Sequence, residues 1–181
     1  MIKRYFEVIG RKSKKAFENK VKNDLKNKVL NHYALSIKKN KESILLQNKK
    51  DINYAKKVGL KDNFISRLEL DTKKLGNIIS SINSISKLKD PTDRILEQWK
   101  RPNGLKIKKV SVPIGVIGVI YESRPNVTSD VSCLCFKSGN SVILKGGSEA
   151  YFTNKILSNL FRRSLKFHKI DPNFVQFIDI R

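Results

Sequence analysis

Val112-Pro113-Ile114-Gly115-Val116-Ile117-Gly118-Val119-Ile120 runs directly into Tyr121-Glu122-Ser123-Arg124-Pro125-Asn126. A nearly continuous apolar run, Ile114 to Ile120, that halts on a polar loop reads as a parallel strand buried on both faces. Asn126, Thr128 and Ser129 are placed to cap a helix running to Lys137, Gly139 ends it, and Ser141 to Lys145 forms a second apolar strand. Gly146-Gly147 turns the chain into a helix, Tyr151 to Phe167, with apolar residues at Phe152, Ile156, Leu157, Leu160, Phe161 and Leu165. Asp171-Pro172 then precedes a third strand, Phe174 to Ile178. Strand, helix, strand, helix, strand with right-handed crossovers is half of a doubly wound sheet, so the fold class is α/β with an incomplete Rossmann-like unit. Phe174 to Ile178 is left as an edge that something should cover.

Before this unit the apolar period changes from two to about four. Leu25, Val29, Tyr33 and Ile37 form a stripe that Leu30 and Ala34 widen, which predicts an amphipathic helix. A further turn runs through Ile44 to Leu46, and Asp51, Tyr54 and Ala55 begin a short helix that Gly59 stops. Phe64 to Leu70 and Leu75 to Ile85 read as helices too. Asp90-Pro91-Thr92-Asp93 is a breaker with capping residues, and Arg94 to Trp99 is expected to add one more short helix. Arg101-Pro102-Asn103-Gly104 is a turn, after which Leu105 to Lys108 alternates as a half-exposed strand and Val110 and Val112 continue it. The chain thus divides into a helical region over 1–100, a strand or hairpin over 101–112 and a partial Rossmann-like domain over 113–181.

At 181 residues and 20.8 kDa the chain is long enough to bury a core, and its Ile, Leu, Val and Phe content excludes a disordered class. No apolar run approaches the roughly 18 residues of a membrane span, and the Lys- and Arg-rich start is not a secretory leader, so the expected compartment is cytoplasmic. Cys133 and Cys135 are too few for a disulfide scaffold or a metal site. The net charge is +22, with 29 Lys and Arg against 11 Asp and Glu in residues 1–110 and 9 against 5 in 111–181. Spread over polar helix positions beside many Asn, this excess reads as a solvated face and speaks against nucleic acid as a partner. The alternative is that a truncated relic or split-enzyme fragment serves as a basic module for nucleic acid or an acidic partner.

In an open parallel sheet, ligands bind beyond the carboxyl ends of the strands. Two loops qualify: Tyr121 to Asn126, and Lys145-Gly146-Gly147-Ser148-Glu149. Lys145, two glycines and Ser148 offer a cation, close backbone approach and a hydroxyl, which suits the ribose or ribose phosphate of a nucleotide; an ordinary strand-to-helix connection has the same composition. No G-x-G-x-x-G or Walker motif is present.

Val112 to Thr128 resembles, without gaps, the signature stretch of the γ-glutamyl phosphate reductases (glutamate-5-semialdehyde dehydrogenases), and Leu134 to Ala150 continues the likeness. Gln98 to Leu105, Gly59-Leu60-Lys61-Asp62 and Arg67-Leu68 are similar to that family as well. The resemblance implies an aldehyde dehydrogenase-type fold with a cofactor domain, a catalytic domain and an oligomerisation hairpin, into which Arg101 to Val112 would fall. It implies NADPH-dependent reduction of γ-glutamyl phosphate, with phosphate release, in proline biosynthesis, through a cysteine thiolate and a thioester.

That cysteine is expected beyond Arg181, so the resemblance assigns no catalytic residue here, and the chain alone is expected to be inactive. Partners implied are the substrate and either a homo-oligomer or a complementing carboxy-terminal fragment. For NADP, Lys145 corresponds to the lysine on the adenosine ribose, with Gly146, Ser148 and Glu149 at the cofactor-facing start of the next helix; Glu149 would oppose a 2′-phosphate. Ser123, Arg124 and Asn126 fall where the superfamily faces the reacting carbonyl. Asn126 then either donates to an oxyanion or caps the helix, and Arg124 meets a substrate phosphate or carboxylate. Cys133 and Cys135 are expected to pack in the core, and His32 and His168 to be solvated.

Overall fold

The computed structural model describes residues 2–180. Five helices come first: α1 (Ile2–Phe17), α2 (Asn23–Lys39), α3 (Lys41–Lys57), α4 (Asp62–Leu68) and α5 (Thr72–Lys87). A hairpin of β1 (Ile95–Lys100) and β2 (Lys106–Val110) follows. Then β3 (Val116–Tyr121), α6 (Pro125–Lys137), β4 (Ser141–Gly146), α7 (Tyr151–Phe167) and β5 (Val175–Phe177) complete the order. The last three strands form one parallel sheet in the order β3-β4-β5. No described helix is long and apolar enough to cross a membrane.

Successive strand residues point to opposite faces, and β5 shows what each face meets. Val175 joins a core with Phe136, Phe161 and Phe174, whose rings meet edge to face at 5.5 and 5.7 Å. Gln176 faces the other way and its amide donates to Ile9 O at 2.7 Å and Ser13 Oγ at 2.8 Å of α1. Helices α6 and α7 therefore cover one face and α1 the other. Outside α6 and α7 lie α2, α3 and α5, with Tyr33 of α2 tilted on Phe161 at 4.8 Å and its hydroxyl 2.8 Å from Ser129 Oγ. Burying each such aromatic ring is worth about 2–3 kcal/mol, so this side of the sheet is the energetic centre of the chain.

Several expectations are met. Gly59 and Gly139 adopt φ of +72° and +76° at the ends of α3 and α6, a region open to glycine at little cost. α7 spans the expected residues.

Others are corrected. Arg94 to Trp99 is not helical: residues 95–100 pair antiparallel with β2, Trp99 opposite Ile107, so the hairpin begins before residue 101 and the helices end at Lys87. Six residues are too few to nucleate a stable helix, whereas the turn at Gly104, φ +86°, brings a ladder partner within reach. β3 is not buried on both faces. Ile117, Val119 and Tyr121 pack inward while Ile114 and Ile120 are 85% and 87% exposed, because α1 lies mainly over β4 and leaves the outer face of β3 open. Asn126 does not cap α6: Pro125 occupies the first turn, where its fixed φ suits a helix start. α3 is one continuous helix where a turn and a separate short helix were expected. α1 lies within the helical region expected over 1–100, where no helix had been delimited before Leu25, and its buried residues Ile9, Ser13 and Ala16 recur at helical spacing.

Candidate functional site at the carboxyl ends of β3 and β4

The register pairs Ile120 with Lys145 and Tyr121 with Gly146, so the two loops start side by side. Ser123, 6% exposed, turns toward the second loop and donates its hydroxyl to the Glu149 carboxylate, and Ser148 Oγ donates to the other oxygen at 3.2 Å. Burial raises the Glu149 carboxyl, but the hydroxyls of Ser123 and Ser148, its own amide and the charge of Lys145 outweigh this and hold it below the usual carboxylate range. Glu149 is thus an ionised acceptor at the mouth of the sheet. Lys145 Nζ donates to Ile180 O at 3.1 Å and Gly146 O at 3.4 Å.

Both glycines are dictated by closeness. A Cβ on Gly146 would lie 2.2 Å from Asn154 Nδ2, and one on Gly147 would lie 2.5 Å from Ser123 Oγ. Beneath them Tyr121 Oη sits 2.7 Å from Thr128 Oγ1, which donates to Asn154 Oδ1 at 2.8 Å, tying β3, α6 and α7 together. Burial pushes the Tyr121 phenol up to about 12, so it stays protonated in this chain of hydrogen bonds.

Two amides in the first turn of α7 are already taken. Fully buried Asp51 accepts from Phe152 N at 3.0 Å, Thr153 N at 2.7 Å and Thr153 Oγ1 at 2.6 Å. With a carboxylate on those amides and Glu149 beside them, this helix start repels a diphosphate. What fits is a polyol such as a ribose, with hydroxyls donating to Glu149 and accepting from Lys145.

Arg124 and Asn126 face elsewhere, into a cleft of about 600 Å³ between α4, α5 and the start of α6. Arg124 Nη2 and Arg67 Nη1 approach one oxygen of Glu122, at 3.6 and 3.5 Å. Asn126 Nδ2 donates to Asp130 Oδ2 at 3.3 Å, and Ser81 Oγ donates to Asp130 Oδ1 at 2.7 Å. The three residues expected to face a carbonyl are therefore divided: Ser123 joins Lys145, Gly146, Ser148 and Glu149, whereas Arg124 and Asn126 line the cleft. Arg67, Ser81, Asp130 and Asp51 were not singled out in the sequence as parts of a site. Asp130, one helical turn after Asn126, carried a usable spacing signal; the other three meet these loops only through tertiary packing.

Cys133 is fully buried and Cys135 nearly so; burial raises the Cys133 thiol well above its usual value and the Cys135 thiol to about 11. Neither is a nucleophile at neutral pH. His32 and His168 are half-buried, contrary to expectation: His32 stacks on Phe167 at 4.3 Å, and burial, with the charges of His168 and Lys39, lowers its pKa. The middle of α2 and the carboxyl-terminal turn of α7 meet there, which the lysines around each histidine did not foretell.

No family model matches the chain. Among curated proteins, it is 44% identical over 155 residues to the gamma-glutamyl phosphate reductase of Nautilia profundicola, covering 86% of this chain and 38% of that protein. It is 41% identical over 179 residues to that of Thermodesulfovibrio yellowstonii, covering 96% and 43%. The chain thus spans about two fifths of the length of these relatives. A crystal structure of gamma-glutamyl phosphate reductase from Thermotoga maritima superposes with a TM-score of 0.91 at 36% identity, over 94% of this chain and 42% of that one. A putative aldehyde dehydrogenase from Bacillus subtilis, at 15% identity and TM-score 0.69 over 98% of this chain and 36% of that one, shares the fold. In sequence and in fold, the chain matches an amino-terminal portion of the γ-glutamyl phosphate reductases.

Proposed function

We propose that the chain forms the first part of the nucleotide-binding unit of an oxidoreductase that reduces γ-glutamyl phosphate to glutamate-5-semialdehyde with release of phosphate, in cytoplasmic proline biosynthesis. One observation carries this reading: in a chain that matches this family, the loops after two adjacent parallel strands meet where such sheets bind ligands. NADPH, when bound, supplies the hydride. Glu149 and Lys145 hold the adenosine ribose, Gly146 and Ser148 shape the turn on which it rests, and Ser123 keeps Glu149 ionised and oriented. Lys145 is also the cation within reach of a 2′-phosphate, since its two hydrogen bonds run to neutral backbone carbonyls. Arg124 meets an anionic group of the substrate, and the Asn126 amide donates to the carbonyl oxygen as negative charge develops on it.

The β1–β2 hairpin, with Ile95, Leu96, Trp99, Leu105 and Val110 exposed, is the surface for homo-oligomer formation. Titration of the chain with NADPH tests the cofactor assignment. Lys145→Ala is expected to weaken binding about tenfold, the worth of one charge-assisted hydrogen bond, and an unchanged affinity removes Lys145 from the site. Since neither cysteine is reactive, the purified chain is expected to produce no semialdehyde from the acyl phosphate, and measurable production refutes that expectation.

A further inference from the structure

The cleft between α4, α5 and α6 carries opposite charges that its own residues satisfy only loosely. Arg67 and Arg124 converge on a single oxygen of Glu122 at 3.5 and 3.6 Å, longer than a hydrogen bond, with side chains 46%, 48% and 68% exposed. Glu122 is therefore a displaceable carboxylate, standing where two guanidinium forks would hold a ligand carboxylate with straighter, shorter bonds. Across the same cleft, half-buried Asp130 accepts from the neutral groups of Ser81 and Asn126, and among the described residues no Lys or Arg lies within ion-pair distance of it. Like most acids among the described residues it makes no ion pair; what sets it apart is its place on the wall of an open cleft, where a ligand's cation can reach it. Lys74, on the cleft wall, does not serve, because its ammonium donates to Ser66 O at 3.0 Å and Glu69 O at 2.6 Å.

We propose that this cleft is the subsite for the α-amino-acid end of the substrate: Arg67, with Arg124, takes the α-carboxylate in place of Glu122, and Asp130, held by Ser81, takes the α-ammonium. The inference rests on the substrate reading above and adds that Arg67 and Asp130 set specificity for a zwitterion over a plain diacid. A diacid lacking the amino group would leave Asp130 unpaired beside added negative charge and bind less well.

The test uses the intact chain and two probes, L-glutamate and glutarate, titrated while amide resonances of α5 and α6 are followed by NMR. L-glutamate is expected to bind about tenfold more tightly than glutarate; Asp130→Asn, which keeps an acceptor for Ser81, should abolish that preference, and Arg67→Met should weaken both probes by about tenfold. If Asp130→Asn does not fold, Ser81→Ala replaces it and is expected to reduce the preference. Equal affinities, no shifts in α5 and α6, or a preference indifferent to these substitutions overturns the proposal. NADPH titration of the same samples separates the two readings: Lys145-dependent NADPH binding with no glutamate preference sinks the subsite alone, and loss of both sinks the reductase reading on which it rests.

Discussion

Asp51 offers a direct test of how the helical front positions the site. It sits on α3, about a hundred residues before the helix it caps, and is fully buried with three donors on its two oxygens. Asp51→Ala removes a carboxylate cap, about 1–2 kcal/mol, and strands the Thr153 amide and hydroxyl in a dry interior, at about 1–3 kcal/mol for such unsatisfied donors. Asn48 Nδ2, 3.2 Å from Thr153 Oγ1, is another donor, and Asn48 Oδ1 already accepts from Leu70 N, so Asn48 does not replace the lost acceptor. The losses overlap, and about 3–4 kcal/mol is expected in all. Asp51→Asn keeps one acceptor oxygen but turns an NH2 group against either Phe152 N or Thr153 N, at about half that cost. Followed by far-UV circular dichroism in urea, with a slope of about 2 kcal/mol/M, the alanine midpoint should fall by about 1.5–2 M and the asparagine midpoint by roughly half as much. An alanine variant within about 0.3 M of the parent would mean that Asp51 does not hold α7, and that the account of why its first turn rejects a diphosphate is mistaken.

Asp90 should make the fold acid-sensitive. Burial raises its carboxyl, but the Lys26 ammonium at 2.8 Å and the Thr92 amide and hydroxyl outweigh burial and hold it below the usual range. A carboxyl lowered on folding adds stability above its unfolded value, near 3.9, and loses it as pH falls through the lower folded value. Urea midpoints of the parent should therefore drop across that interval more than those of Asp90→Asn, and parallel profiles would refute the role. For the two cysteines, alkylation by iodoacetamide at pH 7.5 should be slow in the folded chain and fast in urea; prompt native labelling of Cys133 would contradict its burial.

The parallel unit was legible because its period and its punctuation agreed. Apolar runs of strand length ended at Tyr121 and Lys145, glycine at Gly139 closed α6, and the stripe from Phe152 to Leu165 matched a helix. Where the reading went astray, a long-range partner overrode a local preference. Ile95 to Lys100 has a helix-compatible composition, yet the turn at Gly104 delivers Ile107 opposite Trp99 and the ladder prevails. α1 carries a clear helical stripe in Tyr5, Phe6, Ile9, Ala16 and Phe17, with Ser13 in the same face serving Gln176, but the Lys- and Arg-rich start was weighed only as a leader. The burial of β3 was overread because a run of Ile and Val reports affinity for a core, not whether both faces are covered in this chain.

For the candidate site, the sequence named loops and residues but not their contacts. Loop position picked out Ser123, Arg124, Asn126, Lys145 and Glu149, and nothing in their order could say that Ser123 turns to Glu149 while its neighbour Arg124 turns to Arg67 and Glu122. The neglected signal was acidic. Lys and Arg number 38 and are mostly spread over solvated faces, so a single lysine says little; Asp and Glu number 16, and in so basic a chain each can draw on many cations. Yet Asp51 and Asp71 accept from helix amides, Asp171 from the Asn173 amide, and Glu149 from two hydroxyls. Asp130, too, is held by neutral donors in a cleft. A carboxylate that takes neutral donors where cations abound has been placed by its surroundings, for a helix start or for a ligand's hydroxyl or ammonium. Of these acids, only Glu149 and Asp130 lie at the mouth of the sheet and in the cleft beside it, and those two positions are where binding experiments carry most weight.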